Sequence, residues 1–199
     1  MVGKTNYIGF AYQFLQIARE SINEMEKQGN YTSIWYDVPD HKNSKDDDND
    51  WIEYEYKTRW NDMNVGVPIL FNFYHGLELY MKGLLETQNL LPSTKNHDLG
   101  KLYKIISVNQ DKFTKEIMTL LEKHLSIKSP FNDFFSHNCL TPDKFYHCLK
   151  YPEDLKGNQF KFTKIRGNED EGLRKFLIIR DDCMKLKAAI KNWIKPKHA

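Results

Sequence analysis

Apolar positions recur every three or four residues along most of this chain, the spacing of helices buried on one face. Residues 6–28 read as a helix carrying Phe10, Phe14, Ile17, Ala18, Ile22 and Met25, stopped by Gly29-Asn30. Residues 67–89 give the strongest helix. Its stripe is Leu70, Tyr74, Leu77, Met81 and Leu84, flanked by Phe73 and Leu85, with Pro68 suited to a first turn. Asn72, His75, Glu78, Leu79, Lys82 and Glu86 fall towards the opposite face. A helix follows over 97–109, with Leu99, Leu102, Tyr103 and Ile106 inward, Asn96 as its N-cap and Asp98 in its first turn. Residues 111–127 carry Phe113, Ile117, Leu120, Leu121 and His124 on one stripe. The closing helix, 169–195, has a narrow seam of Phe176, Ile179, Cys183, Leu186, Ile190 and Trp193. Such a seam suits a two-helix contact, made either with a second copy or with the N-terminal helix.

Two regions break the period. Stretches 31–38 and 51–60 are rich in aromatic and β-branched residues. In the second, Ile52, Tyr54 and Tyr56 alternate with Glu53, Glu55 and Lys57, which is strand periodicity. Between them residues 41–50 form a polar, mobile acidic loop. Asp46, Asp48 and Asp50 occupy three calcium-loop positions, but Trp51 and Lys57 stand where glycine and glutamate are needed, so calcium is rejected. Residues 128–168 read as an irregular insertion with short strands over 145–151 and 159–165, around a turn at 152–157. The expected fold is mainly α: one domain over residues 1–199, about five helices and a small β element.

Composition narrows the function classes. The chain is 40% hydrophobic and 28% charged, with a mean hydropathy of −0.67, so it is globular in composition. No apolar run reaches the roughly 18 residues of a membrane span, and residues 1–6 precede no secretory apolar region. A cytoplasmic protein with no membrane contact is expected. Three cysteines, Cys139, Cys148 and Cys183, do not make a disulfide framework. His137, Cys139, His147 and Cys148 lack zinc-ligand spacing, so neither metal nor cofactor is expected. No phosphate-binding glycine loop and no nucleophile elbow occurs. Residues 1–100 carry 9 basic against 15 acidic residues, and residues 101–199 carry 20 against 12. A basic second half suits phosphates or an acidic partner, although scattered lysines are also ordinary solvated surface.

The segment Phe71-Asn72-Phe73-Tyr74-His75-Gly76-Leu77-Glu78-Leu79-Tyr80-Met81-Lys82-Gly83-Leu84-Leu85, followed by Asn96-His97-Asp98-Leu99-Gly100-Lys101-Leu102, resembles the HEPN-like (higher eukaryote and prokaryote nucleotide-binding) proteins of bacteria. Their pattern reads H-x-x-E-L-x-x-K-x-L-L, then H-D-L-x-x-L. Lys150-Tyr151-Pro152-Glu153-Asp154-Leu155-Lys156-Gly157 is similar to their R-Y-P-x-D-x-x-G element, with Lys150 in place of arginine. The resemblance implies an up-and-down helical bundle, commonly a homodimer, working in phage-defence, abortive-infection or toxin–antitoxin-like systems. It implies RNA or a nucleotide as ligand and an antitoxin or other protein as partner. Catalytic members are metal-independent RNases using an Arg and a His four to six residues apart. No arginine in this chain is followed by a histidine at that spacing.

Six residues are therefore candidates for substrate or phosphate binding: His75, Glu78, Lys82, His97, Asp98 and Lys150. His75, Glu78 and Lys82 share one helical face, and in a helical hairpin His97 returns near Lys82 or Glu86 rather than His75. Lys82 supplies a point charge, His97 a donor and the following helix its N-terminal N–H groups. Glu78 is placed to orient an imidazole for acid–base work. The plainer alternative makes Glu78 and Lys82 a solvated i, i+4 pair and Asp98 a helix cap. A non-enzymatic interaction module is the alternative function.

Overall fold

The computed structural model describes residues 6–31, 47–93, 97–166 and 171–194, with the backbone alone for 47–50. Its helices are α1 (Tyr7–Gln28), α2 (Asp47–Thr58), α3 (Asp62–Thr87), α4 (Leu99–Val108), α5 (Lys115–Leu125), α6 (Asn132–His137), α7 (Phe145–Lys150) and α8 (Glu171–Ile194). Short 3₁₀ turns precede α5 and α7. Helices α1, α3, α4, α5 and α8 make the bundle, and α3 is its axis.

α1 begins at the Asn6 cap, whose side chain accepts from the Gly9 N–H at 2.9 Å, and ends at left-handed Gly29. Its buried stripe is Ala11, Leu15, Ala18, Ile22 and Met25. Phe10 and Ile17, expected inside, face outward, because the buried stripe lies one position round the helix. Small residues set that rotation. A Cβ on Gly76 of α3 would stand 2.9 Å from the Leu15 side chain, and one on Gly83 would stand 2.3 Å from Ile8 Cδ1. The two glycines lie two helical turns apart and let α1 settle directly on the α3 backbone.

α3 starts earlier than its apolar stripe suggests. Asn61 caps it by accepting from the Asn64 N–H at 2.9 Å, and Asn30 binds the Asp62 N–H at 2.8 Å. Pro68 therefore lies inside the helix, not in its first turn. α3 is buried almost all round, with Glu78, Lys82 and both glycines inside as well as its apolar stripe. Glu78 and Lys82, a solvated pair under the plainer alternative, are covered by neighbouring helices, while Asn72, His75, Leu79 and Glu86 on the same side are half-buried.

The expected strand at 51–60 is helical. Ile52 and Tyr56 are exposed, so their alternation does not record burial. The same residues make helical contacts: Glu53 pairs with Lys57 at 2.9 Å, and the Thr58 hydroxyl donates to the Tyr54 carbonyl at 2.9 Å. The proposed loop at 41–50 overlaps α2 from Asp47 onward; residues 32–46, with the first expected strand, lie outside the described residues. Residues 145–150 are also helical, and the only β pairing among the described residues is an isolated bridge between Glu153 and Gln159. α7 buries Phe145 against Tyr74 of α3, with stacked rings 5.5 Å apart, a use of the apolar run that a strand there would lack.

The α8 seam closes within the chain. Phe176, Ile179, Cys183, Leu186 and Ile190 are buried, and α8 packs on α1, α3 and α5. The Tyr80 hydroxyl donates to the Leu186 carbonyl at 3.2 Å, and the Trp193 indole to the Lys112 carbonyl at 2.9 Å. This seam is core and leaves no strip for a second copy.

Candidate functional site

Two of the three motif segments meet at one carboxylate, and the third approaches it only through Tyr146. Glu78 is wholly buried at the middle of α3. Lys82, one turn on, donates from Nζ to Glu78 Oε1 at 2.6 Å. His97 Nδ1 reaches the same oxygen at 2.9 Å from the segment before α4. His75 Nδ1 lies 3.5 Å from Oε2, an electrostatic contact without hydrogen-bond geometry; both atoms lack a hydrogen-bond partner. Burial pushes the Glu78 carboxyl up, but the His75 and Lys82 contacts outweigh it and hold the group below the usual range. Lys82 is only 11% exposed in its side chain, so its charge is spent inside the protein.

The residues around this centre are held by aromatic packing. Phe14 of α1 meets His75 edge-on at 4.5 Å, and Phe71 stacks on it at 5.8 Å. On the outer side Tyr146 of α7 stacks on His97 with centroids 6.0 Å apart. Lys150 donates to the Tyr146 hydroxyl at 2.6 Å and lies over both the Tyr146 and Tyr151 rings. The two tyrosine hydroxyls raise its pKa. Asp98 caps α4 itself, accepting from the Lys101 N–H at 3.1 Å; the expected cap Asn96 is outside the described residues. Lys144 donates to Asp98 at 2.7 Å. Burial opposes ionisation of Asp98, but Lys144 and the Lys101 N–H hold its pKa low.

His75, Glu78, Lys82 and His97 thus meet at the carboxylate, while Lys150 reaches them only through Tyr146, and Asp98, next to His97 in the chain, turns away to Lys101 and Lys144. The motif that begins at Lys150 also has a local structural cause. Asp154 Oδ1 accepts from the Lys156 and Asn158 N–H groups at 2.8 and 2.9 Å, and Gly157 takes a left-handed φ of 81°. Asp154 and Gly157 build the turn that follows α7.

Sequence reasoning missed a second buried charge centre. Asp182 of α8 lies between α5 and α8, and its Oδ2 is 2.8 Å from His124 Nε2 and 2.5 Å from Lys123 Nζ. Lys185 reaches Oδ1 at 3.2 Å. An available signal was Asp182 beside the α8 seam and His124 on the α5 stripe, two opposite ionisable groups on apolar faces. Cys148 is buried in α7, and burial pushes its thiol up to about 12, which leaves it unreactive near neutrality. Among the described residues, no group of three or more His, Cys, Asp or Glu side chains is placed to hold a metal ion, and no helix is long and apolar enough to cross a membrane.

No protein-family model matches this chain, and no curated protein or solved structure matches it.

Proposed function

We propose that this chain is a cytoplasmic HEPN-like bundle that engages RNA or a nucleotide through the outward side of the Glu78 centre. The observation that carries this reading is the convergence of all three resembling motif segments on one neighbourhood. Its outer groups suit the ligand: an imidazole, His97, 60% exposed; two tyrosine rings, Tyr146 and Tyr151; and two lysines, Lys144 and Lys150. Aromatic faces take bases and lysines take phosphates. Glu78 and Lys82 act from behind as positioning residues for His97, not as ligands. The phage-defence, abortive-infection or toxin–antitoxin-like setting follows from the same resemblance, as does an antitoxin or other protein partner. A homodimer would have to use a surface other than the α8 seam.

Fluorescence anisotropy of a labelled single-stranded RNA at rising salt tests the reading, with degradation followed in parallel with and without EDTA. Binding should weaken with salt. Tyr146→Ala should weaken it about tenfold, a loss of about 1–3 kcal/mol for one stacked base. Lys150→Ala should reduce the salt slope by about 0.7, the contribution of one phosphate contact on a single strand. Absence of binding at low salt overturns the reading. The non-enzymatic interaction module then stands, supported by exposed Ile52 and Tyr56 on α2.

A further inference from the structure

The Asp182 centre takes no part in the proposed binding face, and its arrangement differs from an ordinary ion pair. His124 and Asp182 are 0% and 1% exposed in their side chains. Asp182 is a carboxylate, so His124 Nε2 carries the proton and donates to it. The other ring nitrogen, Nδ1, is buried and has no hydrogen-bond partner. The ring lies edge-on to Phe73 of α3 at 4.7 Å. The charged and titratable groups around it are Asp182 and Lys185 of α8, Lys123 of α5 and Tyr74 of α3, whose hydroxyl donates to the His124 carbonyl at 3.3 Å.

A neutral ring fits this pocket, because an unused lone pair against apolar atoms is tolerated. A protonated ring does not fit. It would place a second N–H in the core with no acceptor, beside two lysines whose charges repel it. Asp182 attracts the new charge, but Lys123 and Lys185 already occupy its oxygens. The second N–H finds an acceptor only if α5 moves and admits water.

We propose that His124 and Asp182 form an acid-sensitive latch between α5 and α8: the bundle is closed while His124 is neutral, and protonation of His124 loosens α5 from α8. Burial holds the ring's proton affinity down more strongly than Asp182 raises it. The folded state therefore binds fewer protons here than the unfolded chain. The latch is fully closed above the ordinary imidazole pKa of about 6.5 and weakens as pH falls below it.

Two measurements on the full chain decide this. Imidazole NMR titration should give His124 a pKa below about 6.5, the ordinary value. Amide hydrogen-exchange protection factors, corrected for intrinsic rates, should fall in α5 and the facing part of α8 between pH 7 and pH 5, by a larger factor than in α1 and α3. His124→Gln, which keeps one N–H for Asp182 and cannot take the charge, should remove that difference. A His124 pKa at or above the ordinary value overturns the latch, and so does an equal loss of α5 protection in His124→Gln. If that variant does not fold, the wild-type titration alone decides.

Discussion

Two buried carboxylates in this molecule gather the same chemistry and use it differently. Glu78 and Asp182 are 0% and 1% exposed, and each holds a histidine and at least one lysine within hydrogen-bond reach. At Glu78 the histidine comes from the segment before α4 and is 60% exposed. At Asp182 it comes from inside α5 and is completely buried. One carboxylate therefore presents an imidazole to solvent, and the other seals one between helices. Residue types alone do not separate a solvent-facing charge centre from a sealed one; the backbone element that delivers the histidine does.

This contrast can be broken from either side. The largest effect is expected from Asp182→Ala. The change strips the acceptor from the buried His124 N–H and the counter-charge from Lys123 and Lys185 together, and the loss should be about 3–5 kcal/mol in urea unfolding. Lys82→Ala should cost less, about 1–3 kcal/mol, because His97 and His75 remain beside Glu78. A loss at Lys82 as large as that at Asp182 would mean that the two centres are equally structural.

Acid sharpens the comparison further. His124 sits below its ordinary pKa, so its contribution to stability is complete above about pH 6.5 and declines as pH falls, at no more than about 1.4 kcal/mol per pH unit for one group. Glu78 is also held below its ordinary pKa, but as an acid. Its contribution is complete above about pH 4.3 and is lost only on further acidification. Thermal unfolding between pH 7 and 5 should therefore show a slope that His124→Gln removes and Glu78→Gln leaves in place. The smallest stability effect belongs to His97→Ala, within about 1 kcal/mol, since the ring is mostly solvated. The same change should weaken RNA binding.

The sequence made the bundle readable where one helical face is apolar and the other is not. The stripes of α4 and α5 and the seam of α8 are largely buried as their spacing indicates, and the helical hairpin brings His97 to the carboxylate that Lys82 also holds. Four features were not readable. The α1 stripe lies one position away from its bulkiest residues, because Gly76 and Gly83 set the contact and small residues carry no hydrophobic signal. The α2 alternation of Ile52, Tyr54 and Tyr56 imitates a strand, yet the segment is helical and leaves Ile52 and Tyr56 exposed. The burial of Glu78 depends on α1, α4, α7 and α8 closing around α3, which no local pattern records. The meeting of Asp182 with His124 and Lys123 was hidden for the same reason, since these partners are 58 and 59 residues away in sequence.

The proposed ligand face lies on the outward side of the Glu78 centre and not at the Asp182 centre. Chemical-shift mapping with a short single-stranded RNA tests it most directly, with the resonances of His97, Tyr146, Tyr151 and Lys150 compared with those of Lys123, His124 and Lys185. Saturable shifts are expected in the first group and none in the second. Shifts confined to the α5–α8 groove, or none at saturating RNA, would contradict it.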